Sequence, residues 1–158
     1  MKKLPGMTPF WERFPDVAAR ETRGVIVSPP QNPQPGDLPS DTYVFGEFYC
    51  DDPACDCRRV LFHVWSHDRP NIVLATINYG WESEAFYTQW MHGDREAARE
   101  IRDASLDPLN PQSEWSPLLL NLFQKIVLAD PAYIARLARR YEMFKDGSRK
   151  CPTEKRKL

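Results

Sequence analysis

Cys50-Asp51-Asp52-Pro53-Ala54-Cys55-Asp56-Cys57 gathers three of this 158-residue chain's four cysteines into one short loop. Thiolates this close together suit a metal ion such as zinc, which takes cysteine sulfur at ~2.3 Å. Cross-strand neighbours have Cβ atoms ~4.5 to 5.5 Å apart, so a hairpin tip on which Cys50 faces Cys57 supplies the convergence the ion needs. Cys55 joins them if the chain stays extended, and Asp52-Pro53 has the composition of the tight turn that returns the loop. Arg58 and Arg59 follow directly, and cations beside a thiol favour its thiolate. The competing states are a Cys50–Cys57 disulfide and three unligated thiols. The spacing lacks the paired Cys-x2-Cys knuckles of the strongest zinc signatures. A redox or copper role has less support, because Cys55-Asp56-Cys57 is not the Cys-x-x-Cys of thioredoxin-like motifs.

A fourth ligand is left open. His63 lies six residues past Cys57 along a strand-like run, about 20 Å from the tip at ~3.3 Å per residue, which excludes it if the strand holds; His67 is farther. A turn over residues 68 to 70 brings Glu82 and Glu84 back beside the loop at the start of a helix, with His92 at that helix's far end. Cys151 has the best chemistry for structural zinc. Asp51, Asp52, Asp56, Glu82 and water are the other candidates.

The flanking residues predict how these groups are positioned. Thr42 to Cys50, Cys57 to Ser66 and Asn71 to Tyr79 are rich in β-branched and aromatic residues and read as an antiparallel meander. Phe48, Arg59 and Leu61 fall on the face that carries the thiols; Phe45, Val60, Phe62 and Val64 fall on the other. Both faces are apolar, so each needs a cover: helices on one, the N-terminal segment or a second subunit on the other. Ser83 caps a helix through Phe86, Trp90 and Met91 that stops at Gly93, and Asp94 caps a second containing Ala97 and Ile101. Ser116-Pro117 opens a third with Leu118, Leu119, Leu122, Phe123, Ile126 and Val127 on one stripe. Asp130-Pro131 opens a fourth with Ile134, Leu137, Ala138, Tyr141 and Phe144, leaving Arg136, Arg139 and Arg140 on its outer face. The expected fold is α+β: a three- to four-stranded antiparallel meander with a metal-binding hairpin tip, followed by about four helices.

One domain suits this length. Pro29-Pro30-Gln31-Asn32-Pro33-Gln34-Pro35-Gly36 sets off a Pro-rich N-terminal segment, 1–41, whose strand Gly24–Ser28 and aromatics Phe10, Trp11 and Phe14 are expected to dock on a core of residues 42–146. Residues 147–158 form a basic tail expected to be mobile. The net charge of −1 argues against a polyanion-binding surface over the whole molecule, but it divides into +4 from Lys145 onward and −5 before it. The tail and the last helix are therefore the candidates for contact with a protein or, weakly, with a nucleic acid, and a homodimer is a further option. Pro5 and Pro9 interrupt any signal-peptide core after Lys2-Lys3, and no run approaches the ~20 apolar residues of a membrane span. The sequence predicts a cytoplasmic protein with reduced thiols.

Tyr43 to Cys50, Cys55 to Val60, Asn78 to Ser83 and Leu106 to Ser113 resemble a family of small uncharacterised bacterial proteins that carry this Cys-x4-Cys-x-Cys-Arg-Arg loop on a β-hairpin. The resemblance covers about residues 42–145. It implies no reaction and leaves Cys151 outside, so a site of Cys50, Cys55 and Cys57 is the form it implies. No Ser-His-Asp, P-loop or His-Glu-x-x-His pattern is present. The favoured expectation is a zinc-stapled binding module. The alternative is a metal-dependent hydrolase with an open zinc position and Glu82 or Glu84 as general base.

Overall fold

Tyr43-Val44-Phe45-Gly46-Glu47-Phe48-Tyr49-Cys50 is the spine on which the molecule is built. The computed structural model describes residues 6–149. There the spine lies in β3 (Asp41–Cys50), which pairs antiparallel with β4 (Arg59–Ser66); β4 pairs with β5 (Ala75–Gly80), and β5 with the short β6 (Ser105–Leu106). Along its other edge β3 takes β1 (Met7–Pro9) at the cysteine end and β2 (Arg23–Val27) at the opposite end. The sheet is thus antiparallel throughout and six-stranded, larger than the expected meander because β1 and β6 are too short for an alternation signal to register.

Two expected strands begin later than the sequence suggested. Arg58 adopts a left-handed conformation with φ of 48°, which breaks the extended run between Cys57 and Arg59. After Pro70 the chain makes a turn, Ile72 N–H donating to Arg69 O and Leu74 N–H to Val64 O, so that β5 starts only at Ala75.

The helices follow their caps. In α3 (Glu84–Trp90), Ser83 Oγ accepts from Phe86 N–H; in α4 (Arg95–Asp103), Asp94 accepts from Ala97 N–H. Two further helices occupy the N-terminal segment, α1 (Phe10–Arg13) and α2 (Pro15–Glu21). Helix α5 (Ser116–Leu122) runs into a π-helical turn, Phe123–Val127. Leu119, Phe123 and Val127, four apart, lie on the buried side while Leu118 and Ile126 are exposed, so the continuous stripe expected there is narrower than predicted. Asp130 caps α6 (Pro131–Arg149) by accepting from Ala132 and Tyr133 N–H.

One sheet face packs on α5 and α6. Phe123 is the centre of that core, its ring 4.9 Å from Phe62, 5.7 Å from Phe45 and 5.9 Å from Tyr79. At ~25 cal/mol per Å², a ring of ~150 to 250 Å² that is fully enclosed contributes roughly 4 to 6 kcal/mol before entropy is counted. On the other face Trp11 of α1 meets Phe48 at 5.2 Å and Trp65 at 5.8 Å, over Gly46, where any side chain would collide with both indoles. The N-terminal segment therefore takes part in covering the second face.

A polar network crosses the first core. Glu47 of β3 accepts from Tyr49 OH at 2.6 Å, from Tyr133 OH at 3.1 Å and from the Arg140 guanidinium. Arg140 also donates to the Glu21 carboxylate at 2.9 Å. Burial pushes the Glu47 carboxyl above its ordinary range, against the pull of Arg140, while the bond from Arg140 lowers that of Glu21. Arg140 is 2% exposed, which corrects its expected place on the outer face of the last helix. A strict amphipathic reading assigns a cation to solvent, whereas here a buried carboxylate compensates it.

Candidate metal centre

Three local features shape the cysteine loop. Asp52 Oδ1 accepts from Ala54 N–H at 2.9 Å and Asp52 O from Cys55 N–H at 3.2 Å, closing the turn expected at Asp52-Pro53. β1 anchors the incoming side, Asp51 N–H donating to Gly6 O and Thr8 Oγ1 to Asp51 at 3.0 Å. Arg58 anchors the outgoing side. Its carbonyl accepts from Tyr87 OH at 2.5 Å, and its guanidinium binds Asp56 at 2.9 Å, reaches Glu82 at 3.4 Å and lies 4.7 Å from the Phe86 ring centre. Tyr87 comes this close because it lies over Gly80, which has no Cβ to obstruct it.

The loop brings Cys50, Cys55 and Cys57 together with all three Sγ atoms within 4.8 Å of one another. The three thiols are unbridged. Tetrahedral bonds of ~2.3 Å would put sulfurs about 3.8 Å apart, so shifts of about 1 Å or less close the set on one ion. The cluster could hold a metal ion. The register differs from the simple hairpin expected: Phe48 pairs with Leu61, so continuing the ladder sets Cys50 opposite Arg59 rather than Cys57. The offset is two residues, which preserves the side on which Cys50 points.

The thiols differ electrostatically. Cys57 is pulled down to about 7, first by a hydrogen bond from Cys50 and then, against burial, by the Arg59 backbone N–H and guanidinium. Cys50 is pushed far up because it donates to Cys57 and is partly buried. Burial, then the nearness of Cys50, raises Cys55. Cys57 is thus the first of the three to ionise, and a cation would displace the protons of the others.

Among the described residues no histidine or carboxylate joins the three sulfurs. Asp51, Asp52, Asp56 and Glu82 are engaged by Thr8, Ala54 and Arg58, and Glu84 pairs with Arg99 at 3.3 Å. Glu82 does return beside the loop, as the strand turn implied, but faces Arg58. His63 stays on β4, 4.5 Å from the Phe48 ring, with neither ring nitrogen hydrogen-bonded among the described residues. Cys151 and the basic tail from residue 150 lie outside the described residues.

The sequence reading missed the residues that tie the loop to the rest of the fold. Lys145 of α6, counted there with the basic tail, is fully buried and donates to Asp52 O at 2.6 Å. Tyr141, one turn earlier, donates to Cys55 O at 3.4 Å and packs on Trp81 at 5.4 Å. The signal was there: Lys145 lies four residues after Tyr141 and eight after Leu137, on the buried stripe. The Lys145 charge helps lower the Cys50 thiol, against the stronger effects that raise it.

No single described helix is long and apolar enough to cross a membrane. No protein-family model, no curated protein and no solved structure matches this chain.

Proposed function

We propose that Cys50, Cys55 and Cys57 hold one structural zinc ion and that the protein acts as a small binding module whose hairpin tip this ion staples. The convergence of three sulfurs within 4.8 Å, on a loop pinned by β1, Arg58 and α6, carries the reading. Zinc fits a donor set of soft thiolates, and the positive charges of Lys145 and Arg59 offset the −1 of a Zn²⁺ ion bound by three thiolates. The fourth position falls to water or to Cys151. A hydrolytic use of the ion has weaker support, since Glu82 and Glu84 are held in ion pairs and thiolates reduce the Lewis acidity of zinc. A reducing compartment such as the cytoplasm would keep the three thiols available, and the bacterial proteins with a similar loop would share the staple.

When zinc is bound it supplies cross-linking, not turnover, and its binding energy becomes folding energy. The test is elemental analysis of untagged protein together with thermal melts with and without a chelator. About one zinc per chain and a clear fall in melting temperature on chelation are expected, with Cys57→Ser reproducing both losses. A melting temperature indifferent to chelator would overturn the staple.

A further inference from the structure

Beside the thiol cluster, on the sheet face turned away from α5 and α6, lies a cleft of about 480 Å³. Leu61 and Asn78 form its floor; Met7 and the loop after β6, with Asp107 and Leu109, form its rim; Arg59 and Cys57 close one end. The Arg59 side chain has neither a hydrogen bond nor an ion pair among the described residues, although Asp107 lines the same cleft. Asp107 is committed elsewhere. One oxygen accepts from Leu109 N–H at 2.8 Å, the other from Asn78 Nδ2 at 2.9 Å. That bond orients the Asn78 amide and leaves its Oδ1 as an unused acceptor.

Leu109 is 92% exposed, yet its loop is braced: Gln112 Nε2 donates to Thr76 O at 2.8 Å and to Asp107 O at 2.9 Å, and Gln112 Oε1 accepts from Thr76 N–H. An apolar side chain held out on a braced rim, sharing a cleft with a guanidinium that has no hydrogen bond or ion pair among the described residues and with the Leu61 and Asn78 floor, matches how small-ligand sites are built: mostly apolar, with a few polar groups that orient the ligand. The single guanidinium matches one carboxylate. Asp107 disfavours a second negative charge, and Asn78 Oδ1 seeks an N–H donor.

We propose that this cleft binds an apolar amino acid carrying a free carboxylate and an acylated nitrogen, the chemistry shared by a small N-acyl amino acid and a peptide C-terminus. Arg59 pairs with the carboxylate, Asn78 accepts from the amide N–H, and Met7, Leu61 and Leu109 enclose the apolar side chain. The proposal rests on the binding-module reading but not on the zinc.

Calorimetric titration of the full chain, with zinc and again with chelator, decides it. The probes are N-acetyl-leucine, the same compound as its C-terminal amide, a five-residue peptide ending in leucine, and inorganic phosphate. Saturable binding of N-acetyl-leucine is expected, weakened at least about tenfold when the carboxylate becomes an amide, as the loss of a charge-assisted hydrogen bond requires. Arg59→Gln should give the same loss. Leu109→Asp should abolish binding while the fold, read by circular dichroism, stays intact because the residue is already exposed. A peptide that binds more tightly than N-acetyl-leucine assigns a protein C-terminus as the source and equal affinity assigns the small molecule; either result supports the cleft's chemistry. Equal affinity for acid and amide, phosphate binding as well as N-acetyl-leucine, or no saturation up to about 10 mM would overturn it. Ligand binding by a protein whose melting is indifferent to chelator would remove the staple and keep the cleft. Chelator-sensitive melting without ligand binding would do the reverse.

Discussion

Replacing Lys145 with Met tests whether helix α6 grips the cysteine loop. Methionine keeps most of the length and apolar volume but removes the ammonium that donates to Asp52 O at 2.6 Å. The bond is charge-assisted and its donor is buried although Asp52 is exposed; bonds to a charged group are worth about 1.5 to 3 kcal/mol, and its loss leaves the Asp52 carbonyl without this donor. Taking about 2 kcal/mol, and roughly 2 to 4 °C per kcal/mol for a chain of this size, the melting temperature should fall by about 4 to 8 °C. The lost charge also stood beside the thiols, so zinc affinity should fall by roughly 10- to 100-fold, the usual effect of removing a partner from the outer shell of a metal site. Calorimetric melts of the zinc-loaded proteins and competition against a chromophoric chelator provide the two readings. A melting temperature within about 1 °C of the parent, with unchanged zinc affinity, would show that Lys145 behaves as a solvated charge and refute the coupling. A lower melting temperature with unchanged affinity would keep the mechanical grip and discard the electrostatic one.

Three further outcomes follow from other sites. Glu47→Gln should destabilise by about 1.5 to 3 kcal/mol in urea titration, since it removes the buried carboxylate partner of Arg140 and leaves it with Glu21, and the double replacement Glu47→Leu with Arg140→Met should cost less than the two single changes together. Burial lowers the His63 pKa to about 4 from 6.5, against the pull of Asp107, so the folded state favours the neutral ring. Its contribution is complete above pH 6.5 and disappears as pH falls from there through 4, up to about 3 kcal/mol; His63→Leu should flatten that part of the stability–pH curve. Cys151→Ser should retain about one zinc per chain by elemental analysis, and loss of the metal would make Cys151 the fourth ligand.

The cysteine cluster was legible because its chemistry and its spacing lie in a single stretch of sequence. So were the two helix starts at Ser83 and Asp94, where a side-chain oxygen caps its own helix and no distant partner is needed. The α+β class followed from β-rich runs giving way to capped helical ones. The residues misjudged are those whose role is set by a partner far along the chain. Arg140 is buried because Glu47, 93 residues earlier, waits in the core, and Lys145 because Asp52, equally distant, offers a carbonyl. Local amphipathicity cannot report either encounter. Strands β1 and β6 escaped detection for a related reason, since a run of two or three residues is extended only because a longer neighbour pairs with it.

Arg140 and Lys145, five positions apart on α6, meet β3 at its middle and the loop at its end. Tyr133, Leu137, Tyr141 and Phe144 recur at helical spacing, so the apolar face alone would tolerate the helix sliding along its groove by one turn, about 5.4 Å. Such a slide would part Arg140 from Glu47 and Lys145 from Asp52 in the same movement. The two cations thus work as the marks of a vernier: either alone narrows the choice of alignment, and both together leave one. The apolar side chains of α6 can exchange for others of similar volume without shifting the helix, whereas moving either charge by a single position would cost the protein its alignment before its hydrophobic core.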